Sequence, residues 1–384
     1  MYNYRIYPSH KQIPRLFKSF DTCKEIYNTL LESSINTYKT SGKTLRKYDF
    51  DKLLSGKYKQ VHSQVAQNVS DRVHKAFVNF FRRVKDPKTP KGKKGFPRFK
   101  SSVHSITYPQ SGFKFLSNTR LQVSKIGSLP IVLHRVPKGK IKTMTIKRNK
   151  AGQWFVIFSC EQDVPAVVHH NKETIGIDVG IESLAVLSTG EVIDNPQFLI
   201  KSEKRLKLLH RQVSRKKKGS ANRRKARQRL SKLYIKITNQ RDNFAHKLSR
   251  RLTLQYGIIK VEDLNIQNML RNHCFSKHIS DASWGRLQFL PYKAVTCGRR
   301  VVKVNPRNTS KTCSNCGTVV DMPLAKRKFL CPNCGFVAHR DLNASINIAK
   351  RYGRTDQNLT LVDGCVRPSF GKATVCEAGT TFGK

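Results

Sequence analysis

The sequence predicts a multidomain α/β protein, and three observations carry that prediction. Helical and strand periods come in blocks: a helical region, a run of short strands, then apolar strands alternating with basic helices. Acidic residues sit in or at the end of apolar strands, in TIGIDVG and IIKVEDLN. Two CxxC pairs interrupt the last block, in TCSNCG and LCPNCGF.

The first block opens with Tyr2 to Pro8, which alternates as a strand does, followed by helical spacing from His10 to Thr37 through Ile13, Leu16, Phe17, Phe20, Ile26 and Leu30. Thr40 to Lys59 is polar and contains glycine, so a loop is expected there. A second helix is expected from His62 to Val84, with Phe77, Phe80 and Phe81 at helical spacing, where core packing outweighs base stacking. The run DPKTPKGKKGFPRFK from Asp86 to Lys100 combines proline, glycine and cations, which reads as a linker or a phosphate-facing loop.

Short strands follow from Ile106 to Val164, and KTMTIKRNKAGQWFVIFSCEQ reads as a hairpin turning at Asn149 to Gly152. A β-barrel-like module is expected, and if the N-terminal strand belongs to it, the helical region becomes an insertion. A new domain begins near Thr174, with strand, turn and strand in TIGIDVGIESLAVLSTGEVI. Lys201 to Lys260 then forms two basic helices joined near Lys218 and Gly219. YGIIKVEDLN is a short buried strand, Asp281 to Ala294 a helix and RRVVKVNP another strand.

Composition narrows the partner. The chain has 74 Lys plus Arg against 24 Asp plus Glu, a net charge of +50 on 384 residues. Such charge repels itself in a compact fold, whereas neutralising phosphates releases counterions, so nucleic acid is the expected partner. No apolar run approaches the roughly 20 residues of a membrane span, and the N-terminus lacks a signal layout. Four of the ten cysteines are paired as CxxC, which fits a reducing compartment with a metal site better than disulfides.

Cys313, Cys316, Cys331 and Cys334 supply two knuckles, each pointing two thiolates at one ion, which is the ligand set of a structural Zn²⁺. The competing reading is two redox pairs; the glycine after each second cysteine favours the zinc ribbon. Four protein ligands leave no open position, so this metal would hold structure. Cys160 follows an apolar run and reads as core.

Asp178 lies inside an apolar strand, where a carboxylate is costly unless it meets a cation, and Gly176 and Gly180 are expected to leave room for a ligand. Glu262 repeats the situation on a second strand; strand alternation turns its neighbour Asp263 to the other side. Asp341 in HRDLNASINIAK stands at a helix start, where an Asp is also a common cap, and Asn343 could share either duty. Three carboxylates from two strands and a helix start could hold two divalent metals about 4 Å apart, the arrangement of metal-assisted phosphodiester hydrolysis.

GIDVG, VEDL, the ribbon and HRDLNAS, in that order, resemble the split RuvC motifs of the TnpB family of bacterial and archaeal insertion sequences, related to type V CRISPR effectors. The resemblance extends to RIYPSHKQ, KAFVNFFRR, GFPRFK, VSRKKKGS and SDASWG, covering residues 1 to about 352. It implies an RNase H-like (RuvC) core with a zinc-ribbon insertion, plus an N-terminal β-barrel (wedge) module carrying a helical recognition insertion. The expected boundaries are 1–9 and 101–172 for the wedge, 10–100 for the helical insertion, 173–306 and 340–352 for the nuclease core, 307–339 for the ribbon and 353–384 for a loosely ordered tail.

The resemblance further implies an RNA-guided DNA endonuclease that cleaves beside a short flanking motif. Asp178, Glu262 and Asp341 fall on the catalytic acids, which would take Mg²⁺ or Mn²⁺, and the four cysteines on the Zn²⁺ ligands. Its partners would be a guide RNA transcribed from the element end and double-stranded target DNA, in a prokaryotic, nucleoid-associated, cytoplasmic setting. Gln67 matches a position that contacts the flanking motif. Arg215, Lys216, Lys217, Lys218, Arg223 and Arg224 lie between two catalytic motifs and suit backbone contact with a guide–target heteroduplex; a solvated face is their bland alternative. Two competing functions remain at this point: a guide-independent transposase or structure-specific nuclease, and a non-cleaving nucleic-acid-binding regulator.

Overall fold

The computed structural model describes residues 1–87, 89, 90, 92, 94–161, 173–272, 274–282, 284, 285, 293, 294, 297, 299–323 and 326–352. They form two compact units, one of residues up to 161 with 201–240, the other of 173–200 with those from 241 onward. The expected tail, 353–384, lies outside the described residues, as does most of the stretch after Gly285 that was expected to complete a helix. Among the described residues no helix is long and apolar enough to cross a membrane.

The first unit begins with β1 (Tyr2–Ile6), then α1 (Gln12–Ser41), α2 (Lys47–Leu54) and α3 (Ser63–Lys85). In α1, Leu16, Phe20, Cys23, Ile26, Tyr27, Leu30 and Leu31 are buried on one stripe, the amphipathic pattern read in the sequence. The helix runs four residues past Thr37, because Gly42 takes a left-handed φ of +66° and donates its amide to Tyr38 O.

α2 replaces the loop expected between Thr40 and Lys59. Asp49 accepts the amide of Arg46 at 2.8 Å, starting the helix, and Phe50 is fully buried. A single buried aromatic holds this short helix, a signal too small to outweigh its polar composition.

The strands that follow are β2 (Ser105–Pro109), β3 (Phe113–Ser117), β4 (Arg120–Val123), β5 (Gly127–Val132), β6 (Lys140–Arg148) and β7 (Trp154–Glu161). They join β1 in a seven-stranded sheet ordered β2-β6-β7-β1-β5-β4-β3. β1 pairs antiparallel with both β5 and β7 inside the sheet, and the three helices connect it to β2 at the sheet's edge. The expected hairpin turn is closed by Asn149, whose Oδ1 accepts the amides of Ala151 and Gln153, with Gly152 at φ +80°.

Phe77 packs against this unit's core and, with Phe80, against Phe96, at ring-centroid distances of 5.6 and 5.1 Å, while Phe81 lies against Phe77 and Phe80. Phe81 is 39% exposed, so full core packing holds for Phe77 only in part and not for Phe81.

The second unit contains β8 (Thr174–Val179), β9 (Ser183–Leu187), β10 (Val192–Asp194) and α4 (Phe198–Lys201). The basic segment forms α5 (Glu203–Ser214) and α6 (Ala221–Gln255), broken at Gly219, as read from the sequence; α6 begins in the first unit and ends in the second. Then come β11 (Ile258–Glu262), α7 (Ile266–Met269), α8 (Ser276–Ala282), β12 (Arg300–Val304), β13 (Lys328–Leu330), β14 (Val337–His339) and α9 (Arg340–Lys350). The five-stranded sheet is ordered β10-β9-β8-β11-β12, antiparallel through β10, β9 and β8, parallel through β8, β11 and β12. Numbered within the unit, that order is 3-2-1-4-5, and it makes the chain a multidomain α/β protein with an RNase H-like sheet.

α9 lies so close on β8 that a Cβ at Gly176 would stand 2.5 Å from Ala349 N and closer still to Ser345 O. Gly176 therefore serves helix–sheet packing, and the space expected for a ligand there is filled by the backbone of α9. At Gly180 a Cβ would meet Ser183 O at 2.8 Å, again a backbone neighbour.

Candidate active site

β8 and β11 run parallel with Ile177 opposite Val261. Asp178 and Glu262 follow these partners at the carboxyl ends of two neighbouring strands, where open α/β sheets present their ligand crevice. Asp341 enters from the first turn of α9. The helix is capped by His339, whose Nδ1 accepts the amide of Asp341, so the carboxylate of Asp341 is released from the capping duty it could have had.

Burial first, and then the charges of Glu262 and Asp341, push the Asp178 carboxyl up to about 8, with Arg340 opposing. Glu262 is also raised by burial, opposed by a hydrogen bond from Thr309 and by the charge of Arg351. Asp341 is flanked by cations: Arg340 Nε lies 3.3 Å from Oδ1 and Arg327 Nη1 3.7 Å from Oδ2. Arg327 also reaches Glu182 at 3.2 Å. Asp263 faces elsewhere and pairs with Lys303 at 2.9 Å.

The three acids thus share an electrostatic neighbourhood without being drawn tight. Among the described residues, the four cysteines are the only group of three or more metal-ligating side chains whose ligand atoms all lie within 4.8 Å of one another. An all-oxygen donor set whose repulsion a divalent cation would relieve suits a hard ion such as Mg²⁺ or Mn²⁺.

Cys313 and Cys334 sulfurs are 3.7 Å apart and those of Cys316 and Cys331 3.5 Å. A tetrahedral ion with Zn–S bonds of about 2.3 Å requires sulfurs about 3.8 Å apart, so this donor set fits Zn²⁺. Hydrogen bonding with the Thr318 side chain, then with its backbone, lowers the Cys316 thiol to about 5, while burial raises its neighbour Cys331 to about 11.

Several contributors carry no signal that spacing could reveal. Thr309, buried between β12 and the first knuckle, donates to Glu262 Oε1 at 2.6 Å. Asn343 takes neither cap nor acid duty: it is fully buried, accepts from Ser314 N and donates to Thr312 O. Trp284 Nε1 donates to Gly180 O at 3.1 Å, fastening the loop after Asp178, and Asp281 accepts the amides of Leu199 and Ile200 and pairs with Arg241. Only the i, i+4 spacing of Asn343 and Asn347 hinted at a polar face on α9.

The residues read as nucleic-acid contacts lie apart from these acids in sequence. Gln67 is exposed on α3, Arg215 to Lys218 are exposed where α5 ends, and Arg223 and Arg224 open α6, Arg223 half-buried and Arg224 exposed.

Known proteins resemble the chain along its length. Residues 157–273 match the OrfB_IS605 model described as "Probable transposase", 284–348 a Cas12f1-like TNB domain model, and 1–43 a helix-turn-helix model of OrfB_IS605 proteins. In this chain the last segment is a strand followed by one long helix. A Streptomyces pristinaespiralis protein whose name marks it provisionally as an RNA-guided DNA endonuclease is 36% identical, covering 90% of this chain and 88% of its own. The Escherichia coli K12 protein InsQ, named in the same way, is 29% identical over 74% of this chain and 73% of its own. The solved complex of Cas12f1 with sgRNA and target DNA covers 91% of this chain and 98% of its own at 18% identity, with a TM-score of 0.36. On the extent and identity of the Streptomyces match, joined by the OrfB_IS605 models, the chain belongs to the TnpB family.

Proposed function

We propose that the chain is an RNA-guided DNA endonuclease of an insertion sequence, with Asp178, Glu262 and Asp341 as its catalytic acids. The observation that carries this reading is the placing of these three carboxylates at the ends of two parallel strands and a helix start, where burial first and then the charges of Glu262 and Asp341 raise Asp178 to about 8. A net charge of +50 supplies the affinity for a polyanion, and the names of the full-length relatives support guided cleavage of DNA.

The three acids would hold Mg²⁺ or Mn²⁺, and a RuvC-type site so loaded supplies an activated water and a Lewis acid for phosphodiester hydrolysis. The chain's own contribution is to fix the carboxylate oxygens at the sheet end and exclude part of their water. Cys313, Cys316, Cys331 and Cys334 would hold Zn²⁺ as a closed structural ribbon.

The remaining assignments belong to the same proposal. Residues 1–9 and 101–172 form a wedge barrel, 10–100 the recognition insertion, 307–339 the ribbon, and 173–306 with 340–352 the nuclease core. Gln67 reads the flanking DNA motif; Arg215 to Lys218, Arg223 and Arg224 track phosphates of the heteroduplex. The guide is transcribed from the element end.

The test is purification with the RNA of its own locus, followed by a DNA target flanked by randomised sequence in Mg²⁺. Cleavage beside one enriched flank is expected. No cleavage with any flank, or equal cleavage by Asp178→Ala, refutes the reading.

A further inference from the structure

The segment between β12 and the first knuckle touches the acid site and the ribbon at once. Thr309, 4% exposed, places its Oγ1 2.6 Å from Glu262 Oε1 and 3.1 Å from Pro306 O. A hydroxyl has one proton to give, and the shorter contact to a carboxylate is the stronger acceptor. Thr309 is itself held from α9, the helix that presents Asp341. Asn347 Nδ2 donates to Thr309 O at 2.9 Å and to Thr312 O at 2.6 Å. One turn earlier, Asn343 donates to Thr312 O and accepts from Ser314 N, both at 2.8 Å. Cys313 lies inside the gripped stretch.

Asn343 and Asn347 are both buried, and each finds its partners in the backbone of this one segment. The segment's conformation is therefore set by α9, and with it the position of the Thr309 hydroxyl. A long, three-torsion Glu side chain at a strand end has several rotamers, and one short hydrogen bond selects among them.

We propose that Thr309 is a positioning residue for the acid cluster: its hydroxyl fixes the Glu262 carboxylate in the orientation that receives a divalent cation, and the Asn343 and Asn347 amides hold Thr309 for that task. This rests on the reading of Glu262 as a catalytic acid. Valine has nearly the shape of threonine without the hydroxyl, and serine keeps the hydroxyl without the methyl, so the two variants separate the hydrogen bond from the packing.

Mn²⁺ binding to the zinc-loaded full chain is followed by electron paramagnetic resonance, and cleavage by the RNA-loaded protein is measured against Mg²⁺ concentration. Thr309→Val is expected to raise the half-saturating Mn²⁺ and Mg²⁺ concentrations about 10-fold, the usual effect of losing an outer partner of a metal ligand. Zinc content and guide RNA affinity stay unchanged, and Thr309→Ser stays within about 3-fold of the parent. Parent-like Mn²⁺ binding by Thr309→Val, or equal damage in both variants, overturns the proposal. Should Thr309→Val fail to fold, Thr309→Ala is read in its place; failure of both assigns Thr309 a purely structural role and also overturns it. Glu262→Gln separates the two readings: if it cleaves and binds Mn²⁺ like the parent, the acid assignment itself fails, whereas a dead Glu262→Gln beside a parent-like Thr309→Val rejects the positioning role alone.

Discussion

Ile177 and Val261 are register partners in the parallel ladder between β8 and β11, and that pairing sets Asp178 and Glu262, the next residue on each strand, side by side at the sheet's carboxyl end. A slip of one residue would turn one of the two carboxylates to the opposite face. The register is secured by Ile175, Ile177 and Ile259, all buried in the core of this unit.

Removing any one acid is expected to abolish cleavage without abolishing assembly. Asp178→Ala, Glu262→Ala and Asp341→Ala should each slow cleavage by about 10³-fold or more, some 4 kcal/mol of barrier. Guide RNA affinity, measured by filter binding, should remain within a factor of about 3 of the parent, since the proposed phosphate contacts lie elsewhere.

The raised Asp178 carboxyl gives a stability trend with a definite sign. Its folded value of about 8 lies above the ordinary carboxylate value of 3.8, so the folded state binds the proton more tightly than the unfolded chain. The corresponding stability is complete below about pH 4 and is lost as pH rises through about 8. In magnesium-free buffer, Asp178→Asn should flatten this decline and stabilise the protein at pH 8, seen as a higher Tm. An unchanged pH–Tm profile would contradict it.

Gly176→Ala distinguishes packing from ligand space. Its new methyl would press into α9 near Ser345 O and Ala349 N, so a cost of about 1–3 kcal/mol and a lower Tm are expected. Were the glycine there to admit a ligand, the variant would keep its Tm and lose metal affinity instead.

The four sulfurs predict about one zinc per chain by elemental analysis. Cys313→Ser should lower that content and reduce Tm. Because Asn343 and Asn347 on α9 bind the backbone on either side of Cys313, cleavage should fall with it. A zinc-free variant with parent-like cleavage would separate ribbon and acid site.

Replacing Arg215, Lys216, Lys217 and Lys218 by alanine tests the phosphate-tracking assignment. Each lost contact should lower the magnitude of the slope of log affinity against log salt by about 0.7–0.9. A slope equal to the parent's would leave these exposed cations as a solvated face.

What the sequence determines by itself is local. The CxxC spacing announces the four-sulfur cluster, because a knuckle is a property of a few adjacent residues. Periodicity locates α1, α3, β6 and β7, because burial repeats with the pitch of the element. It also marks Asp178 and Glu262 as costly acids on apolar strands. Tertiary structure decides the rest, since it depends on residues far apart in the chain. The ladder between β8 and β11 brings Asp178 to Glu262, although they are separated in sequence by three helices. The backbone of α9 fills the space at Gly176, and His339, not Asp341, caps that helix. Phe50 turns a polar stretch into α2, and Thr309 reaches Glu262 from beyond β12. A hydroxyl or an amide has no period to betray it; only the fold gives it a partner.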